Sequence, residues 1–280
     1  MTKLSEIADR YDALFCDVWG VIRDGHSLLP PAVEALQAYR KQGGRVCLVS
    51  NSPRRHPSLL EALGEMGFPG DAYDCAVTSG DAIHEELVKR APGKAFKIGP
   101  DWDEALYDGL DLDFVGIEDA DFISCTGPDD YWNGRPEHYQ QVLEAALERK
   151  LDLVCANPDI IVQAGDQMIF CAGAIARLYR ELGGISIVAG KPHRPIYRQA
   201  FDALAESGGP VEPSRVLAIG DGPETDIEGA ARAGVDAMLI AGGILQAEMQ
   251  DDGFSTETVV AILAEYGVEA RWIAPQLVWS

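Results

Sequence analysis

The sequence predicts an α/β fold built on a parallel sheet, with a second α/β domain inserted into the first. Three observations lead there. Short apolar runs alternate with helix-period segments along the chain, glycine or proline marks many of the joints, and polar residues recur where the apolar runs stop. Strands buried on both faces read as unbroken apolar runs. Their alternation with helices implies parallel pairing through right-handed crossovers.

Each element has a local reason. Residues 13–16 form an apolar strand, and residues 31–41 a helix opened by proline and closed near Gly43. A strand at 45–49 precedes a helix at 58–66 that Gly67 ends, and a short strand at 76–78 precedes a helix at 81–90 with Asp81 as its N-cap. After Ala91-Pro92-Gly93 a second alternating set begins: strands at 95–98 and 122–125, a strongly periodic helix at 137–149, a strand at 153–156 and a helix at 172–182. The first pattern then resumes with strands at 185–188, 215–219 and 237–240 and helices at 195–205 and 225–233. The expected domains are therefore 1–93 with 185–280, interrupted by 94–184. No internal repeat or low-complexity stretch interrupts the reading.

Composition narrows the class. A chain of 280 residues with 47% hydrophobic content exceeds the usual size of one core and is apolar enough to fold. The formal charge of −22 repels nucleic acid and anionic membrane surfaces, so neither is an expected partner. No apolar segment reaches membrane-spanning length, and Met1 to Glu6 lacks the apolar core of a secretory signal, so a cytoplasmic location is expected. The cysteines at 16, 47, 75, 125, 155 and 171 form no Cys-x-x-Cys pair and read as buried free thiols.

Polar residues gather at strand ends. Asp17 ends the first strand, Ser50 and Asn51 the second, Lys191 follows the strand at 185–188, and Asp221 and Asp226 follow that at 215–219. Each alone has an ordinary reading: a turn cap, turn composition, a solvated Gly-Lys-Pro loop, or a helix N-terminal carboxylate. Together they bring hard oxygen donors, a hydroxyl and an ammonium to the edge where open α/β sheets bind ligands. That set suggests phosphoryl chemistry, with a carboxylate available as nucleophile. Ser52-Pro53-Arg54-Arg55, with His193 and Arg194, reads either as solvated loop or as a phosphate-attracting rim. Trp102, Trp132, Trp272 and Trp279 read as packing or interface residues.

These motifs resemble the haloacid dehalogenase superfamily, in its class IIA, NagD-like phosphatase branch. Asp17-Val18-Trp19-Gly20-Val21 is similar to its nucleophile motif, Ser50-Asn51 to its hydroxyl motif, Gly190-Lys191-Pro192 to its lysine motif, and Gly220-Asp221 through Asp226 to its acidic motif. Ala156-Asn157-Pro158-Asp159 resembles a signature of the inserted domain. The resemblance implies a Rossmann-like core domain with an α/β cap, and a Mg²⁺-dependent phosphatase acting on a small phosphorylated metabolite. Asp17 would attack phosphorus, and Asp17, the Trp19 carbonyl, Asp221 and Asp226 would hold the ion. Ser50 and Asn51 would donate to the transferred oxygens, Lys191 would supply a fixed positive charge and restrain the nucleophile, and Ser52, Arg54, Asn157 and Asp159 would contact the substrate. A homodimer is implied as well.

One position departs from the pattern. Most phosphatases of the superfamily carry a second aspartate two residues after the nucleophile, where this chain has Trp19. Metal binding through the carbonyl survives that change, but indole cannot serve as the acid–base group. Asp24 and His26 are candidate substitutes, or plain turn residues. Two further readings follow: a carbon–halide hydrolase, since dehalogenases of the superfamily place an aromatic residue there, and a phosphoester-binding protein with little turnover.

Overall fold

The structure is a computed structural model that describes residues 2–25, 27–164, 167–245 and 254–280. The chain divides into two compact units. The first comprises Met1–Ser50, Leu60–Val77 and Lys191–Ser280, and the second Asn51–Leu59 and Thr78–Gly190.

In chain order, β1 (Ala13–Cys16), α1 (Pro30–Lys41), β2 (Arg45–Ser50), α2 (His56–Glu65), β3 (Cys75–Thr78) and α3 (Ser79–Val88) come first. β4 (Gly93–Ile98), β5 (Leu112–Phe114), β6 (Phe122–Cys125), α4 (Gln140–Glu148), β7 (Asp152–Cys155), β8 (Ile161–Ala164), β9 (Gln167–Phe170), α5 (Ala172–Glu181) and β10 (Ile185–Val188) follow. The chain ends with α6 (Arg194–Gly208), β11 (Val216–Gly220), α7 (Glu228–Ala233), β12 (Asp236–Ile240), α8 (Thr256–Glu265) and β13 (Trp272–Ala274).

The sheet of the first unit runs β13-β12-β11-β1-β2-β3. Cys16 stands opposite Ile219 on one side and Leu48 on the other, both in parallel register. Every residue of β1 and β11 is buried, which explains their unbroken apolar sequence. From β1 the chain winds outward through β2 and β3, and from β11 it winds the other way. The direction therefore reverses between β1 and β11, and there an open α/β sheet leaves a crevice for ligand. α1 covers part of this sheet because Ala32, Ala35, Leu36 and Tyr39 repeat at helical spacing and are all buried. Pro30 and Pro31 pre-set its first turn, and Arg40 and Lys41 face the negative end of its dipole.

The second unit holds a five-stranded parallel sheet, β10-β7-β6-β4-β5, and the antiparallel hairpin β8–β9. Ile98, Ile123, Leu143, Leu153, Ile175 and Tyr179 form its buried core. Here the structure corrects the sequence reading at β10. Residues 185–188 were expected in the first domain, yet Ile185–Val188 pair in parallel register with Asp152–Cys155. A four-residue, mostly apolar strand carries no mark of which sheet it joins. The N-cap of α3 is also Thr78 rather than Asp81. Thr78 Oγ1 accepts from the Asp81 N–H at 3.0 Å, and the Asp81 carboxylate accepts from the Thr78 N–H at 3.0 Å, a reciprocal capping box. No helix among the described residues is long and apolar enough to cross a membrane.

Candidate active site

Asp17 begins where β1 ends. Its N–H still donates to the Ile219 carbonyl at 2.8 Å, so the sheet ladder fixes the backbone that carries the carboxylate. Asp221 leaves the neighbouring strand β11 one residue beyond its end. Asp226 sits in a π-helical turn, Pro223–Ile227, where its Oδ2 accepts from the Gly222 N–H at 3.1 Å and from Thr225 Oγ1 at 3.3 Å. Wide turns of this type concentrate at functional sites because they re-aim a side chain. Asp17, Asp221 and Asp226 each bring a carboxylate oxygen within 4.8 Å of the others.

Lys191 is the cation inside this group. Its Nζ lies 2.7 Å from Asp17 Oδ1 and 2.8 Å from Asp226 Oδ1, and the side chain is almost fully buried. Burial favours the neutral amine, but the charges of Asp17 and Asp226 prevail and hold the Lys191 pKa well above its ordinary value. Burial pushes the Asp17 carboxyl well above the usual carboxylate range. Lys191 opposes that shift, while the negative charges of Asp226 and Asp221 add to it. Behind them the Tyr197 hydroxyl is driven upward by burial and by Asp226. Three carboxylates around one ammonium leave negative charge for a second cation to neutralise. Hard oxygen donors at this spacing suit a divalent ion.

The first unit supports Asp221 through its backbone. Asp221 Oδ2 accepts from the Ile244 N–H at 2.8 Å. A Cβ at Gly20 or at Gly243 would stand 2.0 Å from that same oxygen. Gly20 also has φ +79°, a conformation that favours glycine. Sequence reasoning missed Ile244 and Gly243, although Gly242-Gly243 does follow the end of β12. Ser50 ends β2, and the Cys16–Leu48 register puts it level with Val18 in the sheet.

Trp19 is half-buried, and the Arg23 guanidinium lies 4.7 Å from its ring centroid. Arg23 is held from its own loop, Nε donating to the Asp24 carbonyl at 3.0 Å. Asp24 is exposed and its Oδ1 accepts from the Ser27 N–H at 2.8 Å, the geometry of a turn residue. His26 lies outside the described residues.

The remaining candidates belong to the second unit. Asn51 Nδ2 donates to Asp159 Oδ1 at 2.7 Å, and the Asp159 N–H donates to Asn157 Oδ1 at 3.0 Å. Those three form one hydrogen-bonded set. The Ser52 carbonyl accepts from the Gly80 N–H at 3.0 Å. Arg54 is paired within the unit, Nε to Asp103 Oδ1 at 3.3 Å, and Arg55 Nε lies 3.6 Å from Asp81 Oδ1. A bare basic rim was one reading of these arginines. On so acidic a chain both have found carboxylates instead.

Comparison with known proteins shows the family. A family model described as haloacid dehalogenase-like hydrolase matches residues 14–113, and a second, HAD-hydrolase-like, matches residues 188–266. A solved hydrolase of the haloacid dehalogenase-like family from Brucella suis 1330 is 41% identical with a TM-score of 0.89, covering 99% of this chain and 100% of that one. Chronophin from Rattus norvegicus is 26% identical over 88% of this chain and 81% of its own. The p-nitrophenyl phosphatase of Archaeoglobus fulgidus shares the fold with a TM-score of 0.72 at 24% identity, over 95% and 96% of the two chains. A carboxylate cluster at the edge of a Rossmann-like sheet thus goes with the hydrolase class that the family models describe. The chain belongs to the haloacid dehalogenase-like hydrolases, in the class IIA, NagD-like branch, and is a phosphoric monoester hydrolase.

Proposed function

We propose that the chain is a Mg²⁺-dependent phosphatase that hydrolyses a small soluble phosphomonoester, a nucleotide, sugar phosphate or similar metabolite, through an aspartyl-phosphate on Asp17. One observation carries this reading: Lys191 lies between Asp17 and Asp226 with Asp221 alongside, leaving the group short of positive charge. Asp17, Asp221, Asp226 and the Trp19 carbonyl would hold Mg²⁺, which when bound supplies Lewis-acid neutralisation of the phosphoryl oxygens. Lys191 opposes the shift that burial imposes on Asp17 and aims its carboxylate, so that one oxygen attacks phosphorus while the P–O bond to the leaving group breaks, and water then hydrolyses the aspartyl-phosphate. Ser50 and Asn51 donate to the transferred oxygens. Ser52, Arg54, Asn157 and Asp159 are the candidate substrate contacts of the second unit.

Trp19 supplies no proton to the departing oxygen. General acid assistance contributes about 10²- to 10⁴-fold in rate, so substrates whose leaving group departs as a stable anion have the advantage. The test compares p-nitrophenyl phosphate with an alkyl phosphate, with Mg²⁺ and with chelator. We expect Mg²⁺-dependent cleavage of the aryl ester, a preference over the alkyl ester of about that size, and loss of activity in Asp17→Asn. Equal activity in Asp17→Asn removes Asp17 as nucleophile. Halide displacement from a 2-haloacid that persists in chelator would replace phosphatase by dehalogenase, and turnover of neither ester would leave a binding protein.

A further inference from the structure

The winding reversal that marks the crevice of the first sheet also occurs in the second unit. From β4 the chain places β5 on one side, then crosses to place β6, β7 and β10 on the other. The reversal falls between β4 and β6, whose strands pair from Ala95–Phe122 to Ile98–Cys125 in parallel register. The carboxyl ends of strands at such a reversal are the position at which open α/β sheets accept ligands.

The loops that follow β4 and β6 carry aromatic residues that meet. Trp102, four residues beyond β4, makes an edge contact with Tyr131 at 5.8 Å between centroids and 77° between planes. Tyr131 meets Trp132 in turn at 5.2 Å and 84°. Near-perpendicular rings make walls rather than a flat stack. Trp102 is 53% exposed and Trp132 55% exposed, so indole faces remain open to solvent. The sequence reads these tryptophans as packing or interface residues, and their exposure keeps them out of the buried core.

The walls are held rigidly. The Gly99 N–H donates to Asp129 Oδ1 at 2.9 Å, joining the two loops at their base. Asp129 is fixed in turn by Tyr139, whose hydroxyl accepts from the Asp129 N–H at 2.8 Å. Asp130 Oδ1 accepts from the Trp132 N–H at 3.2 Å and the Asn133 N–H at 3.1 Å, which pins the backbone under Trp132. The surrounding charge is negative. Asp101, Asp129 and Asp130 are close neighbours of the ring residues in sequence, and the Lys97 ammonium is engaged by Glu104 and Asp101.

We propose that this crevice binds an organic ammonium group, quaternary or alkylated, with Trp102, Tyr131 and Trp132 as its walls and the flanking aspartates as counter-charge. Indole faces attract cations through the ring quadrupole, with Trp the strongest of the aromatic residues. An anionic ring would meet the same carboxylates and be repelled. The site lies wholly in the second unit and does not depend on the phosphatase reading.

The test uses the full chain and two probes of one shape, choline and its neutral isostere 3,3-dimethylbutan-1-ol, followed by tryptophan fluorescence and calorimetry. We expect choline to bind saturably and the isostere about tenfold more weakly. Trp102→Leu and Trp132→Leu should each weaken choline binding at least fivefold while circular dichroism stays that of the wild type. The probe comparison needs only the wild-type protein, so a variant that fails to fold does not spoil it. Equal binding of the two probes overturns the proposal by reducing the crevice to an apolar patch. Absence of binding by either overturns it too, and if particle mass then shows a dimer that Trp132→Leu dissociates, the rings are a subunit interface.

Discussion

Gly243→Ala tests whether the backbone after β12 sets the metal site. The new Cβ would stand 2.0 Å from Oδ2 and 2.4 Å from Cβ of Asp221. The carboxylate or the loop must then shift on the order of 1 Å to recover van der Waals contact. Such a shift breaks the 2.8 Å bond from the Ile244 N–H, and a hydrogen bond to a charged group is worth about 1.5–3 kcal/mol. Outer groups that orient a ligand typically change metal affinity about 10- to 100-fold, which is about 1.4–2.7 kcal/mol and matches the first estimate. Gly243 is absent from the glycines with left-handed backbone, so the variant tests space rather than strain. The assay is Mg²⁺ titration by calorimetry, with thermal unfolding as a second readout. At a concentration one hundred times the wild-type Kd, metal stabilises the native wild type by about 2.7 kcal/mol, while a variant binding about 100-fold more weakly gains only about 0.4 kcal/mol. Gly64→Ala is the control: its Cβ meets nothing within 4 Å, and a helical Gly→Ala change gains up to about 1 kcal/mol. Wild-type metal affinity in Gly243→Ala would refute the claim that this loop orients Asp221.

Lys191→Met should cost the metal-free protein about 3–5 kcal/mol, because it strands two buried carboxylates that the ammonium now bridges; urea unfolding in chelator measures it, and a loss below about 1 kcal/mol contradicts the pairing. Gly173→Ala should destabilise by about 1–3 kcal/mol through overpacking, since its Cβ would stand 2.1 Å from the Pro158 carbonyl beside Asp159; chemical denaturation checks it. The pair His56–Asp81 predicts a pH window. The hydrogen bond that His56 donates to Asp81 raises its pKa above the usual 6.5, so its stabilisation is complete below that value and is lost as pH rises through the folded pKa. Burial raises Asp81, but the hydrogen bond and charge of His56, with Thr78, outweigh it and lower the pKa below the usual 3.8. That contribution is present above the ordinary value and lost as pH falls through the folded one. The stability difference between wild type and His56→Gln should therefore shrink on the alkaline side of the His56 transition; a difference constant across that transition contradicts the pairing.

What the sequence made legible follows from how parallel sheets are built. Asp17, Asp221 and Lys191 stand out because a buried strand tolerates no charge until it ends, so a polar residue there marks the carboxyl edge. The groups that orient them are hidden for the opposite reason. The Ile244 N–H is a backbone donor that any residue but proline provides, and the pairing of Arg54 with Asp103 joins positions whose partnership no spacing encodes. β10 was misplaced because a short, mostly apolar run looks alike in either sheet, and the antiparallel pair β8–β9 was missed where its strands are short. Electrostatics link the two scales. A chain of net charge −22 would ordinarily repel a phosphate, and the cluster at Asp17 adds three carboxylates against one buried ammonium. On the proposed function, the same deficit that repels free phosphate in the metal-free protein is what a divalent ion from solution would neutralise.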